Sequence, residues 1–93
     1  MTVGVLRARL ILREARSLKD KRQVVQGVKD RLRARFNVAV AETDFHEVRQ
    51  RAEVSVAAVS NERRSVQRTL EQALRHVRGA PGAELAGHEI EYF

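Results

Sequence analysis

The stretch SLKDKRQVVQGVKDRLRARF, Ser17 to Phe36, decides how this chain folds. Val24, Val28 and Leu32 recur every four residues, with Val25 beside them, and that spacing gathers them on one face of a helix. Ser17 offers an N-cap. Asp20, three residues on, completes a capping-box-like arrangement in which Asp replaces the usual Glu. At about 100° of rotation per residue, Lys21 and Arg35 flank or overlap the apolar face. Their stems are expected along the edge of the core, with their charges in water. Asn37 is the expected stop.

On the N-terminal side, Val3 to Leu12 alternates with a period of two, the mark of a strand. Gly4, Leu6, Ala8, Leu10 and Leu12 form its clean, core-facing side, and Val3, Val5, Arg7, Arg9 and Ile11 its mixed side. Beyond the helix, Val38 to Ala41 is short, apolar and rich in β-formers. Arg51 to Val59 alternates again, placing Ala52, Val54, Val56 and Ala58 together, and Thr43 to Gln50 is the polar link of a hairpin. Ser60 or Asn61 is the expected cap of a second helix. Its apolar face is Val66, Leu70, Ala73, Leu74 and Val77, and Gly79 is its C-terminal stop. Gly79 to Gly87, which holds the only proline, reads as a loop, and His88 to Phe93 as a last strand.

The order β-α-β-β-α-β is the split βαβ, ferredoxin-like arrangement, an α+β fold. Right-handed crossovers put both helices on one face of a four-stranded antiparallel sheet of order 4-1-3-2. One domain is expected to account for residues 1–93. The first strand then lies beside the last, so Arg7 and Arg9 are expected to pair with Glu89 and Glu91 on the open face.

Composition narrows the function classes. Apolar residues make up 43% and charged residues 32%, which suits one modest core under a heavily charged surface. The absence of cysteine excludes disulfides and thiolate metal sites. His46, His76 and His88 lie far apart without paired ligand spacing, so neither a metal nor a cofactor is expected. No apolar run approaches the roughly 20 residues of a membrane span, and Arg7 and Arg9 interrupt any signal-peptide core, which points to a cytoplasmic protein with no membrane partner.

The net charge of +6 is concentrated. Residues 13–35 hold nine bases against three acids, which is the whole excess, while the rest of the chain is balanced. A localised excess of this kind points to a polyanionic partner more strongly than a diffuse one.

The run ARSLKDKR at Ala15 to Arg22, VKDRLRARFNVAVAE at Val28 to Glu42 and VSNERR at Val59 to Arg64 resemble the YlxP-like family of small bacterial proteins of unknown function. The resemblance covers nearly the whole chain. It implies a ferredoxin-like fold, and the placing of its members' genes near those for translation initiation and ribosome maturation implies a link to RNA or ribosomes. It supplies no catalytic residues.

Four cations of the helix, Lys19, Arg22, Lys29 and Arg33, share with Gln26 a stripe within about 80° of the wheel and with no acid interleaved. Such a stripe suits contact with successive phosphates. A solvated helix face is the plainer reading. Arg64, Arg68, Arg75 and Arg78 lie on the outer side of the second helix, where Glu71 is set to pair with Arg75. The candidate nucleic-acid-binding residues are therefore Arg16, Lys19, Lys21, Arg22, Lys29, Arg33, Arg64 and Arg68. Ser17, at the helix N-terminus, is a candidate anion site, with simple capping as its rival.

Catalysis is not expected. The fragment Val25 to Val28, VQGV, is similar to an acylphosphatase signature, but it falls inside the helix pattern and lacks the signature's Phe-Arg. Asp44, His46 and Glu47 are the nearest titratable cluster, and loop composition explains them. The expected function is an RNA- or ribosome-associated binding protein. A protein-interaction module, such as a homodimer through the open sheet face or an edge strand, is the alternative.

Overall fold

In the computed structural model, which describes residues 1–93, the alternating stretches become strands and the periodic ones helices. The order is β1 (Thr2–Ile11), α1 (Leu18–Arg35), β2 (Ala39–Asp44), β3 (Arg51–Ser60), α2 (Arg63–Arg78) and β4 (Glu84–Tyr92). The sheet order β2-β3-β1-β4 is the expected 4-1-3-2 read from the other edge, and every pairing is antiparallel. The fold is the ferredoxin-like α+β arrangement.

Period two fixes which side of the sheet is dry. Leu6, Ala8 and Leu10 of β1 and Ala52, Val54, Val56 and Ala58 of β3 are buried against the helices. Val66, Leu70, Ala73 and Val77 of α2, spaced for one helical face, complete the core. Gly4 lets α2 come close. A methyl group there would lie 2.6 Å from Val66 Cγ1 and 2.8 Å from Leu70 Cδ1.

Two strand boundaries differ from the sequence reading, each for a physical reason. β4 starts at Glu84 rather than His88. Arg9 faces Gly87 but Leu10 faces Leu85, so Ala86 is an extra residue in a bulge. The bulge reverses the alternation, so that Leu85 and then Ile90 and Tyr92 all pack against the core. β2 runs through Asp44, since its polar half still pairs with β3. The VQGV fragment lies wholly within α1.

The ends of the helices are set by local hydrogen bonds. Ser17 caps α1 as expected, its hydroxyl accepting from the Asp20 N–H at 3.1 Å. The short Asp20 side chain accepts from Arg16 N–H at 3.0 Å. At the candidate anion site the structure thus shows the rival, simple capping: the Ser17 hydroxyl serves a backbone donor, and the Asp20 carboxylate supplies negative charge to the first turn. For α2 the N-cap is Glu62, without a side-chain bond, and Ser60 instead accepts from Glu62 N–H at 3.2 Å in the turn before it.

The largest departure is Lys21. Its side chain is 0% exposed, and it heads the buried row Lys21, Val25, Val28 and Leu32. Its ammonium donates to the carbonyls of Phe45 at 2.6 Å, His46 at 3.2 Å and Arg51 at 3.2 Å. An ammonium has three protons, so these bonds use all of them. Glu42 Oε2 stands 3.0 Å away and supplies the counter-charge without a directed hydrogen bond. Lys21 is therefore corrected as a nucleic-acid-binding candidate. Its charge lies inside the protein, held by the β2–β3 loop.

That loop is shaped around the lysine. Phe45 has a φ of 63°, a left-handed conformation uncommon outside glycine, and its N–H bonds Asp44 Oδ1 at 2.7 Å. Arg51 lies over the Phe45 ring at 4.3 Å, and His46 Nε2 meets the Glu42 carbonyl at 3.1 Å. Asp44 and His46 thus serve the turn.

Lys21→Met keeps the stem but strands three carbonyls and a carboxylate of which only 14% is exposed. Breaking a buried pair from one side costs about 3–5 kcal/mol. Urea unfolding should show a loss of that order for Lys21→Met and a smaller one for Glu42→Gln, because the second variant leaves the three carbonyl bonds intact.

Candidate nucleic-acid interface

The two faces of the molecule treat their cations differently. On the open sheet face Arg7 pairs with Glu91 and stands 3.7 Å from Glu89, while Arg9 reaches Glu89 at 2.8 Å. This is the expected arrangement. The register places Arg7 opposite Glu89 and brings Glu91 within reach on the same side. Arg13 is bound to Glu84 at 2.8 Å, which raises the Arg13 pKa and holds the Glu84 carboxyl below its ordinary range. The remaining exposed end of the sheet is apolar, with Met1, Val59 and Phe93 open large side chains at the strand ends.

On the helix side, Lys19 and Arg22 line a shallow depression with Gln23, Gln26, Gly27 and Asp30. Both are exposed and in no ion pair, and Lys29 is half-buried beside them. Gly27, which costs helix propensity of about 1 kcal/mol, has a local reason. A side chain there would lie 3.2 Å from the Arg31 guanidinium, which folds back over the bare backbone.

The stripe is not free of acids, as its spacing suggested. Asp30 accepts from Gln26 at 2.8 Å and stands 3.7 Å from Arg33. Arg33 also donates to the Val40 carbonyl at 3.0 Å, so it is partly spent on the edge strand β2. Arg16 is exposed just ahead of the helix, its carbonyl accepting from Arg49 at 3.4 Å. Arg64 and Arg68 are exposed on α2 and make no ion pair.

The helices share charge at one place that spacing along the chain did not single out. Arg35 and Phe36 at the end of α1 meet Gln72, Arg75 and His76 of α2 around an open notch. Phe36 and His76 stand edge to face, with ring centroids 6.3 Å apart. Glu71 does not pair with Arg75 as expected. It accepts from Gln67 at 3.0 Å and leaves Arg75 free. Two signals pointed here in hindsight. Gln72, Arg75 and His76 have helical spacing on one face of α2, and so have Arg31 and Arg35 on α1.

His76 titrates low. Burial disfavours its charged form, and the positive Arg35 and then Arg31 push the same way. Its Nε2 is shielded and has no hydrogen-bond partner.

The family model for "Protein of unknown function (DUF503)" matches residues 3–90, and the chain belongs to that family. It is 30% identical over 91 residues to the "Uncharacterized protein YlxP" of Bacillus subtilis (strain 168), a match covering 98% of this chain and 99% of that protein. No helix is long and apolar enough to cross a membrane.

NMR titration of the imidazole protons should place the His76 midpoint below the ordinary 6.5, and Arg35→Gln should raise it. A histidine whose folded pKa is depressed supports the fold above its unfolded value, and that support is lost as pH falls through the folded one. His76→Gln should therefore flatten the acid side of the stability profile.

Proposed function

We propose that this protein is a non-catalytic, cytoplasmic RNA- or ribosome-associated factor that docks through the side of its two helices. One observation carries this reading: Arg7, Arg9 and Arg13, on β1 and just after it, are matched with carboxylates, while Arg16, Lys19, Arg22, Lys29, Arg64 and Arg68 have no ion pair. A surface of unmatched cations attracts a polyanion and releases its counterions on binding. The neutralised sheet face offers no comparable attraction and, apart from Phe93, no exposed aromatic on which a base would stack. A second reading, self-association, is favoured by the apolar end of that face around Val59 and Phe93.

Binding to a hairpin RNA, followed by fluorescence anisotropy across salt, tests the first reading. Four phosphate contacts would weaken affinity by about 100-fold between roughly 50 and 200 mM salt. Joint reversal of Lys19, Arg22 and Lys29 to Glu should abolish measurable binding, and each single neutralisation should lower the salt slope by about one. Salt-independent or undetectable binding by the unaltered protein would refute it. A molar mass that rises with concentration in light scattering, without RNA binding, would favour the second.

A further inference from the structure

We propose that the notch between the end of α1 and the second half of α2, lined by Arg35, Phe36, Gln72, Arg75 and His76, binds the phosphate group of a phosphate monoester. This deepens the polyanion reading by naming the chemical group taken at one point of the helix side, and it is tested separately from it.

Shape comes first. The depression beside Lys19 and Arg22 is lined by one helix alone and includes the Asp30 carboxylate. In the notch, donors from two helices approach one space. Arg35 and Arg75 each carry five N–H donors in a planar fork that matches phosphate oxygens, and Gln72 adds an amide.

Charge comes second. No carboxylate lines the notch, and neither Arg35 nor Arg75 is in an ion pair. The charged groups that bear on His76 are Arg31 and Arg35 from α1, with Arg75 on its own helix. Cations gathered without an acid repel one another until an anion joins them, and a dianion offsets more of that repulsion than chloride.

The histidine comes third. Its Nε2 has no partner within the protein, and its ring is held against Phe36. The same cations that disfavour its proton would be offset by a bound phosphate, so occupancy of the notch is readable as a rise in the His76 midpoint. Protonation and phosphate binding then help each other, by linkage. Phe36 supplies a flat apolar wall beside the phosphate, where the rest of an ester would lie.

The test is an NMR pH titration of His76, with His46 and His88 as internal controls, at matched ionic strength. The arms are chloride alone, inorganic phosphate, adenosine 5′-monophosphate and adenosine. Inorganic phosphate and the monophosphate should each raise the His76 midpoint by about half a unit over chloride. Adenosine should not. Arg75→Ala and Arg35→Gln should each remove the rise relative to their own chloride midpoint. A larger rise with the monophosphate than with inorganic phosphate would identify a nucleotide-borne group as the source, and an equal rise would identify phosphate alone. Equal midpoints in phosphate and chloride would overturn the proposal. So would a rise with adenosine equal to that with its monophosphate, or a rise that survives both substitutions. The variant with Lys19, Arg22 and Lys29 reversed should keep the response, so loss of RNA binding and loss of the notch are distinguishable.

Discussion

The buried ammonium of Lys21 is the constraint on which the rest of the arrangement turns. Its three protons are met by two carbonyls of the β2–β3 loop and one at the start of β3, and Glu42 supplies the opposite charge. Removing a charge from water is costly unless it is paired and fully hydrogen-bonded, and here both conditions hold. The bonds join the first turns of α1 to the β2–β3 loop. The same loop holds the β1–α1 connection, through the Gln50 carbonyl to Leu12 N–H at 2.9 Å and the Gln50 amide to the Arg13 carbonyl at 3.2 Å. One end of the molecule is thus fixed by polar contacts to a lysine, and the rest of α1 by Val25, Val28 and Leu32.

Fixing Lys21 inward sets the rotation of α1 about its own axis, and that rotation decides which charges are available. With the buried row at Lys21, Val25, Val28 and Leu32, the exposed side holds Lys19 and Arg22, and Arg35 is brought to α2. The excess charge is thereby sorted. One cation is internal, those of β1 face carboxylates across the sheet, and the unmatched ones lie along the helices and, as Arg16, Arg49 and Arg51, around the β2–β3 loop. Surface ion pairs like those of Arg7 and Arg9 contribute only about 0.2–1 kcal/mol each. Their larger consequence is to cancel the sheet's attraction for anions.

How much of this the sequence discloses depends on whether a signal is local. The strands β1 and β3 and the face of α2 follow from period and need nothing beyond neighbours in the chain. Ser17 and Asp20 announce the α1 cap for the same reason. The start of β4 was hidden because a single extra residue, Ala86, breaks the alternation and makes a strand resemble a loop. Lys21 was hidden because wheel geometry puts a lysine at the edge of the dry face equally well whether its charge reaches water or an internal cage. Only the carbonyls of Phe45, His46 and Arg51, more than twenty residues away, settle the matter. The notch was hidden in the same way, since Arg35 and Arg75 belong to helices whose packing no spacing within either one describes. The expected Glu71–Arg75 pair was lost to a closer competitor, Gln67.

The central claim is that the helix side, and not the sheet, meets a polyanion. Mapping backbone amide shifts while a hairpin RNA is added to isotope-labelled protein tests it most directly. The account predicts changes concentrated on the exposed residues of α1 and α2, from Lys19 and Arg22 to Arg64 and Arg68, with β1 and β4 unmoved. Changes centred on Val59, Phe93 and the β2 edge, with the helix residues silent, would contradict it.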